Sequence, residues 1–514
     1  MAETILAYDL GTGGNKASLY DSQGRPLASV FASYETEYPQ PGWHEQRPDA
    51  WWESVVQSTR QLLASRATDP RSIRALAISG HSLGCVPLDA DGRLLRAATP
   101  IWSDTRPITQ AARFFEQIDP PRWYRLTGNG FPPPHYTVFK ILWYRDCEPD
   151  LFARIHKVVG TKDYINYRLT GRIATDHSYA SGSGVYDLLK WSYSEELLTA
   201  AGLPQSILPE IVPSTEILGE LTAEAAESLG LPCCIPVACG GVDNSCMALG
   251  ARNIAEGRTY ASLGSSMWIA VSSKRPLLDD TVKPYVFTHV IPGMFASAVA
   301  IFSGGTSLRW VRDQFCANLI AQAHAENRDP YELMTALAAR SPVGAKKLLF
   351  NPSLAGGSSL EPSANIRGAF LGLDLGHVQA DVIRAVLEGI ALNLRLALDE
   401  LRKLGDIGTE MVVVGGGSRS ALWRQILADA LEIDIVKTNV GQEAGSLGAA
   451  AVAAVACGLW SDYHRIDEIH QVEAVSRPNP VNVRTYRELR PVFQQARLDQ
   501  GRLGDRLASL VIPV

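Results

Sequence analysis

The sequence has no basic run, no long apolar run and no paired-cysteine spacing, and each absence removes a class of protein. With a formal net charge of -6, the chain carries no electrostatic footprint for nucleic acid. An anionic cosubstrate would have to be held by local donors, because the overall field does not attract it. The longest apolar stretch, Leu447–Trp460, is mostly Ala, Gly and Val and is too short to span a bilayer. No membrane partner is expected. The opening Met-Ala-Glu-Thr-Ile lacks a basic region followed by an apolar run, so no secretory leader is expected and the compartment expected is the cytoplasm. The eight cysteines are Cys85, Cys147, Cys233, Cys234, Cys239, Cys246, Cys316 and Cys457. None forms a C-x-x-C pair, and no cysteine and histidine spacing suggests zinc. Most sit in apolar stretches such as Pro232–Cys239 and Ala449–Cys457, which reads as reduced core thiols.

What is present is a globular balance of 46% hydrophobic and 20% charged residues. At 514 residues the chain is too long for one ordinary core, so two or three domains are expected. Local pattern predicts strands at Ile5–Asp9, near Ala17–Tyr20 and at Pro26–Ser33, the first two joined by the glycine-rich turn Gly11–Gly14. A helix follows at Trp51–Ser65 and an apolar strand at Ile73–Ser79. Alternating strands and helices indicate an α/β fold. A related pattern comes later: strand Arg258–Ser262, turn Gly264-Ser265-Ser266, strand Trp268–Ser272, helices Ser307–Ala323 and Asp381–Leu404, strand Glu410–Val414. The strand–Leu-Gly-(Thr/Ser)–strand unit thus occurs twice, once near the start of each half. Two similar halves would bring two small-residue hairpins to face each other across a cleft. The halves are expected over 1–248 and 249–480, with a charged terminal helix in 481–514.

Three segments carry candidate chemistry. Asp9-Leu10-Gly11-Thr12-Gly13-Gly14 ends a strand in glycines, which let backbone N–H groups approach phosphate oxygens, and Thr12 adds a hydroxyl. Asp9 could hold Mg²⁺ through water. The segment is neither a Walker A loop nor a dinucleotide fingerprint, and read alone it is equally a tight hairpin turn. Gly240-Gly241-Val242-Asp243-Asn244 follows a buried-looking strand, Ile235–Cys239, and opens a helix at Ser245–Gly250. Asp243 is either a helix cap or a general base for a substrate hydroxyl. Val412–Val414 runs into Gly415-Gly416-Gly417 and a helix containing Trp423–Leu431. Flat glycine backbone there could lie against a planar base, or the segment is simply a strand-to-helix turn.

At this point the residues resemble a known family. Gly368-Ala369-Phe370-Leu371-Gly372-Leu373, followed by Asp381–Glu388, is similar to the C-terminal signature of the FGGY carbohydrate kinases. Thr137-Val138-Phe139-Lys140-Ile141-Leu142-Trp143 is similar to the N-terminal one, with His135 an imperfect fit. Pro41–Gln46, Trp102-Ser103-Asp104-Thr105-Arg106 and Lys162-Asp163-Tyr164 also match, so the resemblance covers nearly the whole chain. It implies two ribonuclease-H-like domains hinged around a central cleft, as in hexokinase, actin and the heat-shock chaperones, the first half holding sugar and the second adenosine. By resemblance, Asp243 is the catalytic base. Asp9, with Asp243, serves Mg²⁺ largely through water, and Gly11, Thr12 and Gly13 serve the phosphates. Gly264, Ser265, Gly305 and Arg309 lie along the phosphates and ribose of ATP, and Gly416, Gly417 and Ser420 near the nucleoside. His81, Ser82, Leu83, Trp102, His135, Asp243 and Asn244 are the expected sugar contacts.

The chain departs from the xylulokinase pattern where that pattern touches sugar. Gly-Gln-Met-His-Gly is replaced by Gly80-His81-Ser82-Leu83-Gly84. Leu83 stands at the family's histidine, and His81 is either a replacement donor or a core histidine. The common Ser-Gly-Glu-Arg-Thr-Pro loop becomes Ala355-Gly356-Gly357-Ser358-Ser359-Leu360. The implied activity is transfer of the γ-phosphoryl of MgATP to a primary hydroxyl of a pentulose-like sugar such as D-xylulose, or of a pentitol. The alternatives are a glycerol or tetritol kinase and, in a different class, a non-catalytic actin-like nucleotide-binding module. The implied partners are the small sugar or polyol and MgATP, with a homodimer as candidate assembly.

Overall fold

A computed structural model of the chain describes residues 3–65 and 67–510. The chain divides into two compact units. The first runs to Ala255 and takes in Ser272–Ser297 and Glu443–His470; the second holds Glu256–Val271, Ala298–Gln442 and the chain from Gln471 onward.

In the first unit β1 (Thr4–Gly11), β2 (Gly14–Asp21) and β3 (Pro26–Ser33) form an antiparallel meander. β1 is covered on both faces, with Ile5, Leu6, Ala7, Tyr8 and Leu10 all buried, hence its near-continuous apolar run. α1 (Pro48–Ala64) opens on a proline, which suits a first turn with no N–H to satisfy. It lays Trp51, Trp52, Val55 and Leu62 over β2 and β3. β4 (Ile73–Gly80) then pairs parallel with β1. Beyond α2 (Thr137–Cys147) and α3 (Thr161–Thr170), β5 (Ile217–Glu220) and β6 (Pro236–Ala238) extend the sheet on the far side of β4. β7 (Gly241–Val242) pairs with the end of β4 and leads into α4 (Asp243–Gly250). The sheet order is β5-β6-β4-β1-β2-β3.

The later half repeats this plan. β8 (Thr259–Leu263) and β9 (Met267–Ser273) are an antiparallel hairpin, and β10 (Phe295–Ile301) lies beside β9. α5 (Gly305–Phe315), α6 (Ala317–Glu326) and the long, largely buried α7 (Gln379–Leu404) precede β11 (Glu410–Val414), which pairs parallel with β8. α8 (Ala421–Leu431) and β12 (Asp434–Thr438) follow, then α9 (Ala444–Ala456), β13 (Val472–Ser476) and α10 (Pro480–Ala508). The order β10-β9-β8-β11-β12-β13, with a further edge strand Tyr285–Thr288 beside β10, repeats the first sheet in having a central strand with a hairpin on one side and a parallel strand on the other. The duplicated hairpin read from the sequence is therefore the visible part of a duplicated sheet.

Some elements differ from their sequence expectation. The helix expected over Ser307–Ala323 is two helices, α5 and α6, broken at Cys316, where φ is −124° and ψ 32°. No Gly or Pro announces that break. The apolar stretch from Leu447 becomes α9, buried all round from Ala444 to Ala454, and it belongs to the first unit although it follows most of the second in sequence. Cys147, Cys233 and Cys234 are exposed, so three of the thiols are not core residues; Pro232 and the two cysteines form a surface turn ahead of β6. α10 packs on α7 and α8, and the Tyr486 hydroxyl donates to Glu388 of α7 at 2.9 Å. Residues 511–514 of the expected terminal segment lie outside the described residues. Among the described residues, no helix is long and apolar enough to cross a membrane.

Candidate active site

Three parallel strand ends carry the acidic centre of the first unit. Asp9 on β1 and Gly241 on β7 both pair with Ser79 of β4, so the residues that follow emerge side by side at the carboxyl edge of the sheet, where α/β folds present their ligands. Gly240 makes the crossing possible. Its φ is +75°, and a Cβ there would lie 2.1 Å from the Ile78 carbonyl oxygen. Asp9 is half-buried, and its Oδ1 accepts the Ser79 hydroxyl at 2.8 Å. Burial raises its pKa, opposed by that hydrogen bond and by Lys16. Gly445, in the first turn of α9, stands against the carboxylate, with room for no Cβ: one would meet Asp9 Oδ2 at 2.6 Å.

Asp243 is the first residue of α4 and not its cap, a place held by Val242. Its Oδ1 accepts the Asn244 N–H at 2.8 Å and the Asn244 side-chain amide at 3.0 Å. Its Oδ2 accepts no hydrogen bond among the described residues. The carboxyl is half-buried, and its pKa is pushed up to about 7. Burial is the main cause, the Asn244 N–H opposes it, and the neighbouring charge of Asp9 adds to it. A carboxyl with one oxygen anchored and the other open, titrating near neutrality, can accept a proton from a bound hydroxyl.

Beside this edge, the expected sugar residues fall into two groups. Trp102 and His135 are tied to each other, and Trp102 also to Thr12, one of the expected phosphate residues. The Trp102 indole donates to the Thr12 hydroxyl at 2.9 Å, and the Trp102 carbonyl bonds His135 Nδ1 at 3.0 Å. Thr12 and Gly13 form the β1–β2 turn after Gly11, and Gly13 is exposed with open space where a Cβ would be. Ser82 and Leu83 are buried, and Leu83 holds φ +60°, a costly backbone for a leucine. His81 stands apart, 1% exposed. Its Nδ1 meets the Thr161 hydroxyl at 3.2 Å, its ring packs edge-on against Trp51, and its Nε2 has no hydrogen-bond partner among the described residues. Burial drives its pKa down to about 4, so the ring is neutral.

In the second unit, the expected nucleotide residues converge on the end of β8. Gly305 and Thr306 at the start of α5 donate N–H groups to the carbonyls of Gly264 and Ser265, both at 3.0 Å. A Cβ on Gly305 would lie 2.4 Å from the Gly264 oxygen, so helix and turn meet only because this residue is glycine. Gly415 has φ +89°, and it and Gly417 pass against the backbone and Cβ of Leu263. Gly416 is less crowded, and Ser420 caps α8 by accepting the Trp423 N–H at 3.2 Å. Arg309 of α5 is exposed and makes no hydrogen bond or ion pair among the described residues.

Both halves of the chain match models of one family: the N-terminal domain of the FGGY family of carbohydrate kinases over residues 4–250, and its C-terminal domain over 259–457. The chain belongs to the FGGY family of carbohydrate kinases. It is an ATP-dependent sugar kinase. Among its relatives, a xylulose kinase of Lactococcus lactis subsp. lactis is 31% identical over 98% of both chains. Two solved structures from Lactobacillus acidophilus cover 99% of this kinase. One is a gluconate kinase, 26% identical with TM-score 0.88 and covered over its full length; the other is a ligand-bound xylulose kinase, 27% identical with TM-score 0.87 and covered over 99%. The fold is the one these kinases share with actin and hexokinase.

Sequence reasoning passed over residues that shape this kinase's centre. Ser79 and Gly445 act on Asp9, but nothing near them in sequence marks them out. Lys140 has a signal, as the one charge in the apolar run Val138–Tyr144 of α2.

Proposed function

We propose that this kinase transfers the γ-phosphoryl of MgATP to a primary hydroxyl of a neutral, pentulose-like sugar in the cytoplasm, with Asp243 as the base. The observation that carries the proposal is the open Oδ2 of a carboxyl titrating near neutrality at the strand edge. Phosphoryl transfer asks the protein for positioning and charge neutralisation more than for a strong base. The turn at Gly264–Ser265, the start of α5 at Gly305 and Arg309, and the glycines ending β11 would take the nucleotide. Mg²⁺ fits Asp9 and Asp243, two half-buried acids that both hold protons more tightly than in water. Among the described residues no group of three or more potential ligands forms a cage, so the ion would be held through water and phosphate oxygens. When bound, it neutralises charge on the transferring phosphates.

The gluconate kinase likeness raises a second reading, an acidic sugar. A sugar carboxylate needs a cation with hydrogen bonds to spare. The buried cations of these segments are all committed. Lys140 serves three carbonyls, Arg106 pairs with Asp104 and Glu45, and Lys162 pairs with Asp163 and Asp176. That favours a neutral sugar. The experiment is ADP release across ketopentoses, pentitols, tetritols, glycerol and gluconate. A ketopentose or pentitol should give the highest kcat/KM; gluconate or glycerol at the top would reject the reading.

Leu83 should set the choice among neutral sugars. It cannot bond a hydroxyl, whereas a histidine there could, and a buried polar group left unpaired by the wrong sugar discriminates strongly. Histidine also tolerates positive φ better than leucine. Leu83→His, alone and with His81→Gln, should shift the ratio of kcat/KM between two sugars by about tenfold, roughly 1.4 kcal/mol, with the KM for ATP nearly unchanged. A uniform fall for every sugar would make the segment structural.

A further inference from the structure

Lys140 is 0% exposed, and its ammonium makes three hydrogen bonds, all to backbone carbonyls: Leu83 at 2.9 Å, Ile101 at 2.7 Å and His135 at 2.7 Å. Three donors meet three acceptors, so the group is saturated. Among the described residues no carboxylate lies within salt-bridge distance of it. A buried ammonium without a counter-ion is costly, and three carbonyl ties could be replaced by packing if the need were only stability. The three carbonyls belong to three separate segments. Each segment presents one of the proposed sugar contacts: Leu83 itself, Trp102 next to Ile101, and His135 itself. Trp102 and His135 are in turn bonded to each other, and Trp102 to Thr12. Leu83 also stands in the strained left-handed region, which it needs an outside hold to keep.

We propose that Lys140 is a positioning residue that fixes Leu83, Trp102 and His135 as one rigid wall of the sugar pocket. It touches no substrate. Its work is to hold three loop segments in register, so that the sugar meets a preformed surface and does not spend binding energy on ordering it. The inference rests on the reading of those three residues as sugar contacts.

The groups facing the ammonium are Asp104 and Arg106 on the Trp102 segment, the Cys85 thiol, and the neutral rings of His81 and His135, with His44 beyond. Burial lowers the pKa of Lys140 to about 8, partly offset by Asp104.

The test is Lys140→Met, which keeps the length of the stem and removes the donors, assayed with whichever sugar the wild type turns over best. The KM for that sugar should rise about tenfold or more, while the KM for ATP stays within about twofold. A purely structural role would lower thermal stability and raise neither KM selectively. A folded Lys140→Met with the sugar KM within twofold of wild type overturns the proposal, and so does an equal rise in both KM values. Trp102→Ala separates the two readings. If it raises the sugar KM and Lys140→Met does not, the positioning role fails alone; if neither does, the pocket reading fails with it. Should Lys140→Met not fold, the wild-type profile decides. The sugar KM should climb above about pH 8 as the ammonium loses its proton, with the ATP KM flat. A flat sugar KM to pH 9.5 overturns the proposal.

Discussion

Asp243→Asn should cost about 10²–10⁴-fold in kcat, the usual worth of a positioned base, and should leave the protein more heat-stable than wild type. The two effects have one cause. Burial raises the folded-state pKa of Asp243 from the ordinary carboxylate value to about 7. The folded state therefore binds this proton more tightly than the unfolded chain does. Its contribution is fully present below the unfolded pKa, is lost as pH rises towards 7, and is gone above that. At pH 8 the wild type carries an ionised, partly desolvated carboxylate beside Asp9. Asparagine has nearly the same shape and no charge, so it removes the penalty. Because the carboxyl is half-buried and solvent screens part of its charge, the gain is about 1–2 kcal/mol and not the full conversion of the shift. That corresponds to roughly 2–6 °C in Tm. Calorimetry in EDTA at pH 8 and pH 5 checks it: the difference should be largest at pH 8, clearly smaller at pH 5, and should vanish only below the unfolded carboxylate pKa. ATP binding by titration should stay nearly intact, because the ion would be held mainly through water and phosphate oxygens. In the wild type, kcat/KM for the sugar should fall with unit slope at acid pH, with a midpoint below about 7 because bound Mg²⁺ favours the carboxylate. Turnover of Asp243→Asn within threefold of wild type would remove Asp243 from the base role, whatever its effect on stability.

Legibility in the sequence followed the range of the interactions. β3 and β11 begin and end where local pattern puts them, because turn residues and apolar runs mark both ends. The repeated hairpin was readable because Gly11–Gly14 and Gly264–Ser266 are contiguous turns. The break at Cys316 was not, since only tertiary packing distinguishes it from a continuous helix. The same holds for the acidic centre. Asp9 and Asp243 stood out by chemistry and resemblance, yet the reason they titrate high is burial by residues far away in sequence. Gly445 lies 436 positions after Asp9 and reads, locally, as one small residue in a run of alanines. Lys140 could be seen as an odd charge in an apolar helix, but its three acceptors come from three other segments, and no spacing rule encodes that.

The crossing of α4 and α9 should be the most sensitive packing contact for catalysis. α4 has eight residues, too few to hold a helix unaided, and Asp243 is its first residue. Its position must therefore come from what it packs against, and that is α9. The two backbones touch through glycine on both sides. A Cβ on Gly250 would lie 1.9 Å from the Ala444 carbonyl oxygen, and one on Gly448 would lie 1.9 Å from the Cys246 carbonyl oxygen. Both obstacles are backbone, so no rotamer change can relieve them. Gly448→Ala must push the helices apart. Overpacking of this kind costs about 1–3 kcal/mol or more, against which the better helix propensity of alanine returns at most about 1 kcal/mol. A fall in Tm of roughly 4–8 °C is expected. The catalytic loss should be larger than that stability change suggests. α9 also carries Gly445 against Asp9, so separating the helices moves both acids relative to each other, and a displacement of about 1 Å at reacting groups can cost on the order of 10²-fold. Gly448→Ala should therefore stay folded at 25 °C with kcat reduced at least tenfold. Gly458→Ala is the control: it lies beyond the same helix, where a Cβ meets nothing within 4 Å but φ is +72°, so it should lower Tm by backbone strain and leave kcat alone. If both variants lose Tm and neither loses kcat, the crossing serves stability only, and the placement of Asp243 must come from β7 and Gly240.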